Sequence, residues 1–195
     1  MNTLIIVDPQ YDFIEGGALP VKGGKKALDN VVSLINSGNI DMVITTQDWH
    51  PISHCSFKEN GGDFPSHCVQ FSEGSNIYQP ILDAIRENNI CHYDYYKGML
   101  EQEEQFSAFV RIKHLYKSII SFEMTNGESL EVCNNENLIV CGLAGDICVL
   151  NTLKVLSSLP NVYVYTKGIA SLDNGKALSD YINQTNILDY DTKLN

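Results

Sequence analysis

Residues 138–148 read Leu138-Ile139-Val140-Cys141-Gly142-Leu143-Ala144-Gly145-Asp146-Ile147-Cys148. The first four are a short apolar run of the kind found in buried strands. The two glycines permit a tight turn, and residues 149–158 then place apolar side chains at helical spacing. The pattern predicts a buried strand that passes through a glycine turn into a helix.

The same alternation of strand and helix patterns extends over the rest of the chain. Predicted strands cover residues 3–7, 42–46, 91–95, 138–141, 162–165 and 186–190. Predicted helices cover residues 25–36, 77–87 and 149–158, with Gly38 and Pro160 at helix ends, and Gly127 and Asn134-Asn135 punctuate one short predicted helix within 127–137. This order predicts an α/β fold: a doubly wound, mostly parallel six-stranded sheet in the order 3-2-1-4-5-6, with helices on both faces.

Length and composition predict a single domain over residues 1–195. The chain has 44% hydrophobic residues, which is enough for a full core, and it shows no repeat or linker. A formal charge of -11 disfavours nucleic acid and anionic membranes as partners, because it repels phosphate, but it does not repel a small neutral substrate.

The compartment is predicted from the cysteines and the first strand. The apolar run that Asp8 ends has no basic region or cleavage site, so it is interpreted as a strand rather than a signal peptide. No apolar run reaches the ~20 residues of a membrane span. Six cysteines without a C-x-x-C pair are interpreted as free thiols in a reducing compartment, which predicts a cytosolic protein.

Reactive side chains follow four consecutive predicted strands. The strands lead into Asp8, into Asp48-Trp49-His50, into Lys97 and into the turn before Cys148. Ligands of open α/β sheets bind beyond the carboxyl ends of the strands, and in the predicted order the first and fourth strands are neighbours. Asp8 is therefore expected beside Cys148.

This grouping predicts nucleophilic catalysis by a cysteine. A helix N-terminus and the Lys97 ammonium are expected to lower the pKa of Cys148 and favour thiolate. Asp8 is expected to accept and return a proton, and the backbone amides of Ala144 and Cys148 are expected to form an oxyanion hole. Taken singly, a buried cysteine is more often inert and a strand-end aspartate is often a turn residue, so the prediction depends on their joint placement.

A metal site is predicted next to these residues. Asp48 and His50 are two apart in extended backbone, so their side chains share a side, and His67 completes the set. Two imidazoles and a carboxylate suit a divalent metal: zinc above all, with manganese and iron as alternatives. His54 is either a further ligand or a partner of the ligands. The alternative is that these histidines only hydrogen-bond within a structured loop. His92 and His114 show no such grouping.

Six motifs resemble the isochorismatase-like cysteine hydrolases and, within them, the nicotinamidases. They are Val7-Asp8-Pro9-Gln10-Tyr11-Asp12-Phe13, residues 46–57 around Asp48-Trp49-His50, Phe64-Pro65-Ser66-His67-Cys68-Val69-Gln70, Lys97-Gly98, Ser107-Ala108-Phe109 and residues 141–149 around Cys148. They occur in the order expected for the family and span most of the chain. The aspartate and two histidines are the feature that points to the nicotinamidase branch.

The resemblance implies a substrate and a mechanism. Cys148 would attack the carboxamide of nicotinamide, or of pyrazinamide, release ammonia through a thioester and yield the acid, which feeds NAD salvage. The metal would bind the pyridine nitrogen, Phe13 and Phe64 would flank the ring, and Leu143 and Ala144 would contact the substrate. A cis peptide bond between Leu143 and Ala144 and a homo-oligomer are implied as well.

Three departures from the family pattern leave substrate choice open. Gly145 stands in place of a threonine, Phe64 in place of a tryptophan, and the segment between Lys97 and Cys148 is longer than usual. One alternative function is therefore another amide or carbamoyl hydrolase of the same family. Another is a non-catalytic thiol- or metal-binding protein on the same fold, silent or redox-responsive, with Cys148 as a sensor thiol. A sensor, however, needs neither the metal set nor the lysine.

Overall fold

The structure is a computed structural model that describes residues 1–115, 118–185 and 187–194. Within these ranges, nine strands lie in two sheets: β1 (Asn2–Val7), β2 (Met42–Asp48), β3 (Cys91–Lys97), β4 (Phe109–Leu115), β5 (Ile119–Met124), β6 (Ser129–Cys133), β7 (Asn137–Gly142), β8 (Val162–Ile169) and β9 (Leu188–Asp189). The helices are α1 (Gly24–Ile35), α2 (Gln79–Glu87), α3 (Leu150–Leu156), α4 (Lys176–Gln184) and α5 (Asp191–Leu194). No helix in these ranges is long and apolar enough to cross a membrane.

The larger sheet confirms the predicted fold class. Its order is β3-β2-β1-β7-β8-β9, and every pairing within it is parallel. β1 and β7 are adjacent, with Val7 opposite Gly142, so the chain segments that follow both strands emerge at one edge. This is the switch point at which ligands of such sheets bind. The last predicted strand, 186–190, is shorter in the structure, and Asn186 lies outside the described residues.

Alternate residues of the central strand face two separate cores. Leu4 and Ile6 pack with α1 and α2 on one face. Ile5 and Val7 pack on the other face with α3, α4 and the smaller sheet. The strand is buried on both faces, which explains why it is an uninterrupted apolar run rather than an alternating one.

The predicted short helix within 127–137 is wrong. Residues 129–133 form β6, the third strand of an antiparallel sheet in the order β4-β5-β6. Leu130 and Val132 are buried while their neighbours are exposed, which is the two-residue period of a strand. Gly127, with a φ of 82°, forms the tight turn between β5 and β6, so this glycine marks a hairpin rather than the start of a helix.

Candidate active site

Asp8 leaves the end of β1 at the centre of the switch point. Its φ of 47° turns the chain sharply out of the strand. Its backbone N–H donates to Thr46 O at 3.0 Å, and Thr46 Oγ1 donates to Asp8 Oδ1 at 2.8 Å. The other oxygen, Oδ2, lies 2.8 Å from Lys97 Nζ but accepts no well-formed hydrogen bond from the described residues. One carboxylate oxygen therefore keeps a lone pair free to take a proton.

Lys97, the last residue of β3, joins the site through its ammonium group. Its side chain is fully buried, and Nζ lies 2.8 Å from Asp8 Oδ2, 2.5 Å from Asp48 Oδ1 and 3.4 Å from Cys148 Sγ. Burial alone would lower the pKa of Lys97, but the two carboxylates hold that pKa well above its ordinary value. Lys97 therefore remains charged at neutral pH and compensates two buried anions.

Cys148 lies in a π-helical turn, Gly145–Val149, that precedes α3. Such turns are rare in proteins, and those that occur are often found at functional sites. Burial raises the pKa of the Cys148 thiol well above its ordinary value, and Asp8 and Asp48 add to this effect while Lys97 opposes it. The expected lowering of this pKa is therefore wrong, because burial and two carboxylates outweigh one ammonium. The resting sulfur is a thiol that needs a base.

The two carboxylates beside Lys97 differ in proton affinity. Burial raises the pKa of Asp8, and the charge of Asp48 raises it further, against the opposing effect of Lys97. Burial would also raise the pKa of Asp48, but Lys97 and the neighbouring histidines hold it below its usual range. Asp8 is thus the group suited to accept and return a proton, and Asp48 stays ionised.

Asp48, His50 and His67 form a buried cluster of possible metal ligands. One ligand atom from each lies within 4.8 Å of the others. His50 Nε2 is 3.6 Å from Asp48 Oδ1, and His67 Nε2 is 4.0 Å from Asp48 Oδ2. The structure therefore brings these three residues together, as the sequence predicts.

Hydrogen bonds to backbone carbonyls orient both imidazoles. His50 Nδ1 is 2.9 Å from Gly98 O, and His67 Nδ1 is 2.8 Å from Pro65 O. A carbonyl only accepts, so each Nδ1 donates a proton to it, and Nε2 is the ring atom that faces Asp48. Metal-binding histidines are typically oriented in this way. The donor set therefore fits a divalent cation.

His54 is buried next to His50 and is not part of the Asp48, His50 and His67 cluster. Its ring centroid is 4.0 Å from that of His50. Its Nδ1 accepts from the N–H of Ser56 at 3.3 Å, and its Nε2 is 3.1 Å from Glu103 O. Both ring nitrogens are occupied, so the geometry favours the prediction that His54 is a partner of the ligands.

A cavity of about 400 Å³, including its opening to solvent, lies above these groups. Its lining includes Asp48, His50, His67, Cys148 and Ala144 together with the predicted ring contacts Phe13 and Phe64. The Phe13 and Phe64 rings lie 5.5 and 5.9 Å from the His67 ring. The predicted sulfur, metal and aromatic groups thus border one small-molecule site.

The cavity also contains residues that the sequence patterns did not indicate. These are Leu19, Val21, Glu104, Phe106, Ile147 and Leu172. Glu104 and Phe106 lie in the irregular segment after Lys97-Gly98, and only that proximity could have pointed to them. Burial raises the pKa of Glu104, and the charge of Asp48 raises it further.

Leu143 and Ala144 contribute differently from each other. The Leu143 side chain is fully buried in the core near Gly24 and is absent from the cavity lining, so only its backbone can reach a substrate. Ala144 does line the cavity, and its N–H finds no acceptor within the described ranges. The peptide bond between them is cis, which confirms that prediction.

The space beside Gly145 is already filled. A Cβ on this residue would lie 2.2 Å from Ser171 Oγ and 2.7 Å from Ile169 Cγ2. Ser171 and Ile169 thus occupy the space that any side chain at position 145 would need.

Known proteins share this sequence pattern. The chain is 32% identical to the nicotinamidase of Escherichia coli (strain K12) over 169 residues, covering 78% of this chain and 74% of that protein. The chain belongs to the nicotinamidase family. No protein-family model matches it. The site described above, with Asp8, Lys97, Cys148 and the Asp48 cluster, therefore lies in a protein of the nicotinamidase family.

Solved structures agree with this family and with its isochorismatase-like fold. PnC1 from L. infantum, whose crystal structure is a complex with nicotinate, is 28% identical with a TM-score of 0.75, covering 96% of this chain and 91% of that one. The pyrazinamidase of Pyrococcus horikoshii, in complex with zinc, is 26% identical with a TM-score of 0.71, covering 96% of this chain and 97% of that one. The structural similarity to these two proteins thus extends over nearly the whole chain.

Proposed function

We propose that this chain is a nicotinamidase that hydrolyses nicotinamide to nicotinic acid and ammonia through a thioester on Cys148. The observation that supports this most directly is the position of Lys97 Nζ, which contacts Asp8, Asp48 and Cys148. Asp48 and Cys148 also line the cavity. An amidase of this type needs a nucleophile, a proton carrier and compensation for buried charge, and these residues supply all three.

The reaction begins with proton transfer, because the resting sulfur is a thiol. Asp8 takes the thiol proton as Cys148 Sγ bonds to the carboxamide carbon, and the carbonyl electrons move to oxygen. The tetrahedral species then collapses, the C–N bond breaks, and Asp8 returns the proton to the departing ammonia. Water attacks the resulting thioester with Asp8 as base, the C–S bond breaks, and the sulfur regains its proton.

The backbone next to Cys148 is assigned to the oxyanion. The N–H of Ala144 borders the cavity without an acceptor among the described residues, and the N–H of Cys148 is the predicted second donor. Such donors typically contribute roughly 3 kcal/mol each when they match the transition state. We assign the oxyanion hole to these two amides.

Asp48, His50 and His67 are assigned to one divalent metal ion, with zinc as the favoured ion and manganese and iron as alternatives. When bound, this ion would supply a Lewis acid for the pyridine nitrogen. Phe13 and Phe64, which line the same cavity, are assigned to the two sides of the substrate ring and would orient it. A site that satisfies a ring nitrogen discriminates against benzamide, which lacks one. Pyrazinamide retains a nitrogen at the equivalent position, so it is a further substrate.

The wider setting follows from the product. Nicotinic acid is a precursor for pyridine nucleotides, so the enzyme would serve NAD salvage. A cytosolic location, a single domain over 1–195 and a homo-oligomeric assembly remain predictions from the sequence.

Ammonia release from nicotinamide by metal-loaded protein tests the proposal, with pyrazinamide, benzamide and aliphatic amides as comparisons. We expect turnover of nicotinamide and pyrazinamide, little with benzamide, loss with a strong chelator and recovery with one divalent metal. Preference for an aliphatic amide would indicate a different hydrolase of the family. Full activity in rigorously metal-free protein would remove the assigned role of the metal.

A further inference from the structure

Gln10 and Asp12 lie within the segment Asp8–Phe13, and the proposed reaction uses neither. Asp8 and Phe13, at the two ends of the segment, belong to the site. Gln10 is fully buried, and a buried amide is costly unless its polar atoms are satisfied. The partners of these two side chains therefore indicate what the segment does.

The Gln10 side chain holds both backbone polar groups of Asp48. Gln10 Nε2 donates to Asp48 O at 2.8 Å, and Gln10 Oε1 accepts from the Asp48 N–H at 2.8 Å. Nε2 also donates to Ser75 O at 2.8 Å. The amide nitrogen and oxygen of Gln10 thus both bond to backbone groups, and two of the three bonds are to Asp48.

These bonds continue the β-sheet ladder beyond the end of a strand. β1 ends at Val7, which pairs with Thr46, so no β1 residue remains to pair with Asp48 at the end of β2. The Gln10 amide has the same donor and acceptor as a peptide group and takes its place. Asp48 is thereby held in extended geometry, which places His50 on the same side two residues later.

Asp12 holds the second ligand loop in a similar way. Its Oδ2 accepts from the N–H of Cys68, next to His67, at 2.7 Å, and its Oδ1 accepts from the N–H of Ala18 at 3.0 Å. Cys68 has a φ of 45°, an uncommon conformation for a residue with a side chain. A Cβ on Gly74 would lie 2.2 Å from the Asp12 carboxyl group, so the backbone there closes directly over it.

We propose that Gln10 and Asp12 are positioning residues that set the spacing of the metal ligands, Gln10 through Asp48 and Asp12 through the loop that contains His67. The inference rests on the proposed metal centre. One short segment would then contain the proton carrier, the support of the strand end that carries Asp48 and the support of the loop that carries His67. Removal of outer-shell partners typically costs about 10- to 100-fold in metal affinity.

Gln10→Met tests the first part, because methionine keeps the length of the side chain and removes its polar atoms. Gln47→Met is the matched control: Gln47 is also buried and directly precedes Asp48, but its Nε2 donates to Asp94 Oδ2 at 2.6 Å instead of to a ligand. The measurement is the zinc dissociation constant of metal-free protein in competition with a chromophoric chelator, alongside the thermal midpoint. We expect about 10- to 100-fold weaker zinc binding for Gln10→Met and wild-type affinity for Gln47→Met.

Asp12→Asn is the second variant, and it stays informative if Gln10→Met does not fold. Asparagine can accept from only one of the two N–H groups that Asp12 serves, so zinc affinity should fall by about 10-fold. Equal zinc affinity in wild type, Gln10→Met and Asp12→Asn would overturn the inference while leaving the metal centre in place. A wild-type protein that binds no zinc, manganese or iron would instead overturn the metal centre itself. A purely structural role would lower the thermal midpoints without changing zinc affinity, which also counts against the inference.

Discussion

The sulfur side and the histidine side of the cavity are held in different ways. On the sulfur side, Asp8, Lys97 and Cys148 lie at or after the ends of three strands of one sheet, and Lys97 Nζ contacts the other two side chains directly. On the histidine side, His50 and His67 lie in loops and are oriented by backbone carbonyls. Asp48 belongs to both sides, since it contacts Lys97 and both imidazoles.

This difference determines how each side responds to substitution. On the sulfur side, Asp8 and Lys97 shift the pKa of each other and of Cys148, so removing either one changes the proton affinity of the groups that remain. On the histidine side each ring has its own support and can be disturbed alone. Changes on the sulfur side should therefore alter chemistry while metal binding persists, and changes behind the histidines should do the reverse.

Cys148→Ala should have the largest effect on turnover. Without the sulfur no thioester forms, and ammonia release should fall by on the order of 10⁴-fold or more. Zinc affinity should stay near wild type, because Cys148 is not one of the three assigned ligands. Ammonia release and zinc titration on the same preparation check both statements. Undiminished turnover would refute the nucleophile, and lost zinc binding would show that the two sides are not separable.

Asp8→Asn should separate proton transfer from thiol acidity. The negative charge of Asp8 raises the pKa of Cys148, so its removal should lower that pKa and increase the thiolate fraction at a given pH. Turnover should nevertheless fall by roughly 10²- to 10⁴-fold, because the proton carrier is gone. The rate of iodoacetamide alkylation against pH measures the thiol pKa in both proteins. Faster turnover in the variant would mean that thiolate formation, not proton return, limits the enzyme.

His54→Leu should weaken the histidine side alone. The change removes the hydrogen bonds to Ser56 and Glu103 and alters the packing behind His50. Zinc affinity should fall by about 10-fold, and the alkylation profile of Cys148 should stay that of wild type. His92→Leu is a control on a histidine that lies away from the cavity and bonds Thr45. A changed alkylation profile in His54→Leu would show that the two sides are coupled through Asp48.

The sequence allowed the strand ends to be predicted better than the loops and the pKa values. β1 and β7 are apolar runs buried on both faces, and the residues after them had to meet at the switch point once the order was assigned. The alternation in β6 is only a few residues long, which is too short to distinguish this strand from the predicted helix, and the sequence patterns predict no strand over β4 or β5. The pKa of Cys148 could not be inferred from position, since it depends on two carboxylates converging on one sulfur.

Gly145→Ala should have the smallest effect on chemistry and a measurable effect on stability. The added methyl would overlap Ser171 Oγ and Ile169 Cγ2, and overpacking of this kind typically costs about 1–3 kcal/mol. Ser171→Gly in the same chain removes the closer of the two contacts, so it should recover part of the lost stability.

Chemical unfolding of the two single variants and the double variant measures this coupling. Additive losses would show that Ser171 does not fill the space beside Gly145, and full recovery would show that Ile169 yields readily. In either case zinc affinity should match wild type, because Gly145, Ile169 and Ser171 do not line the cavity that both imidazoles border.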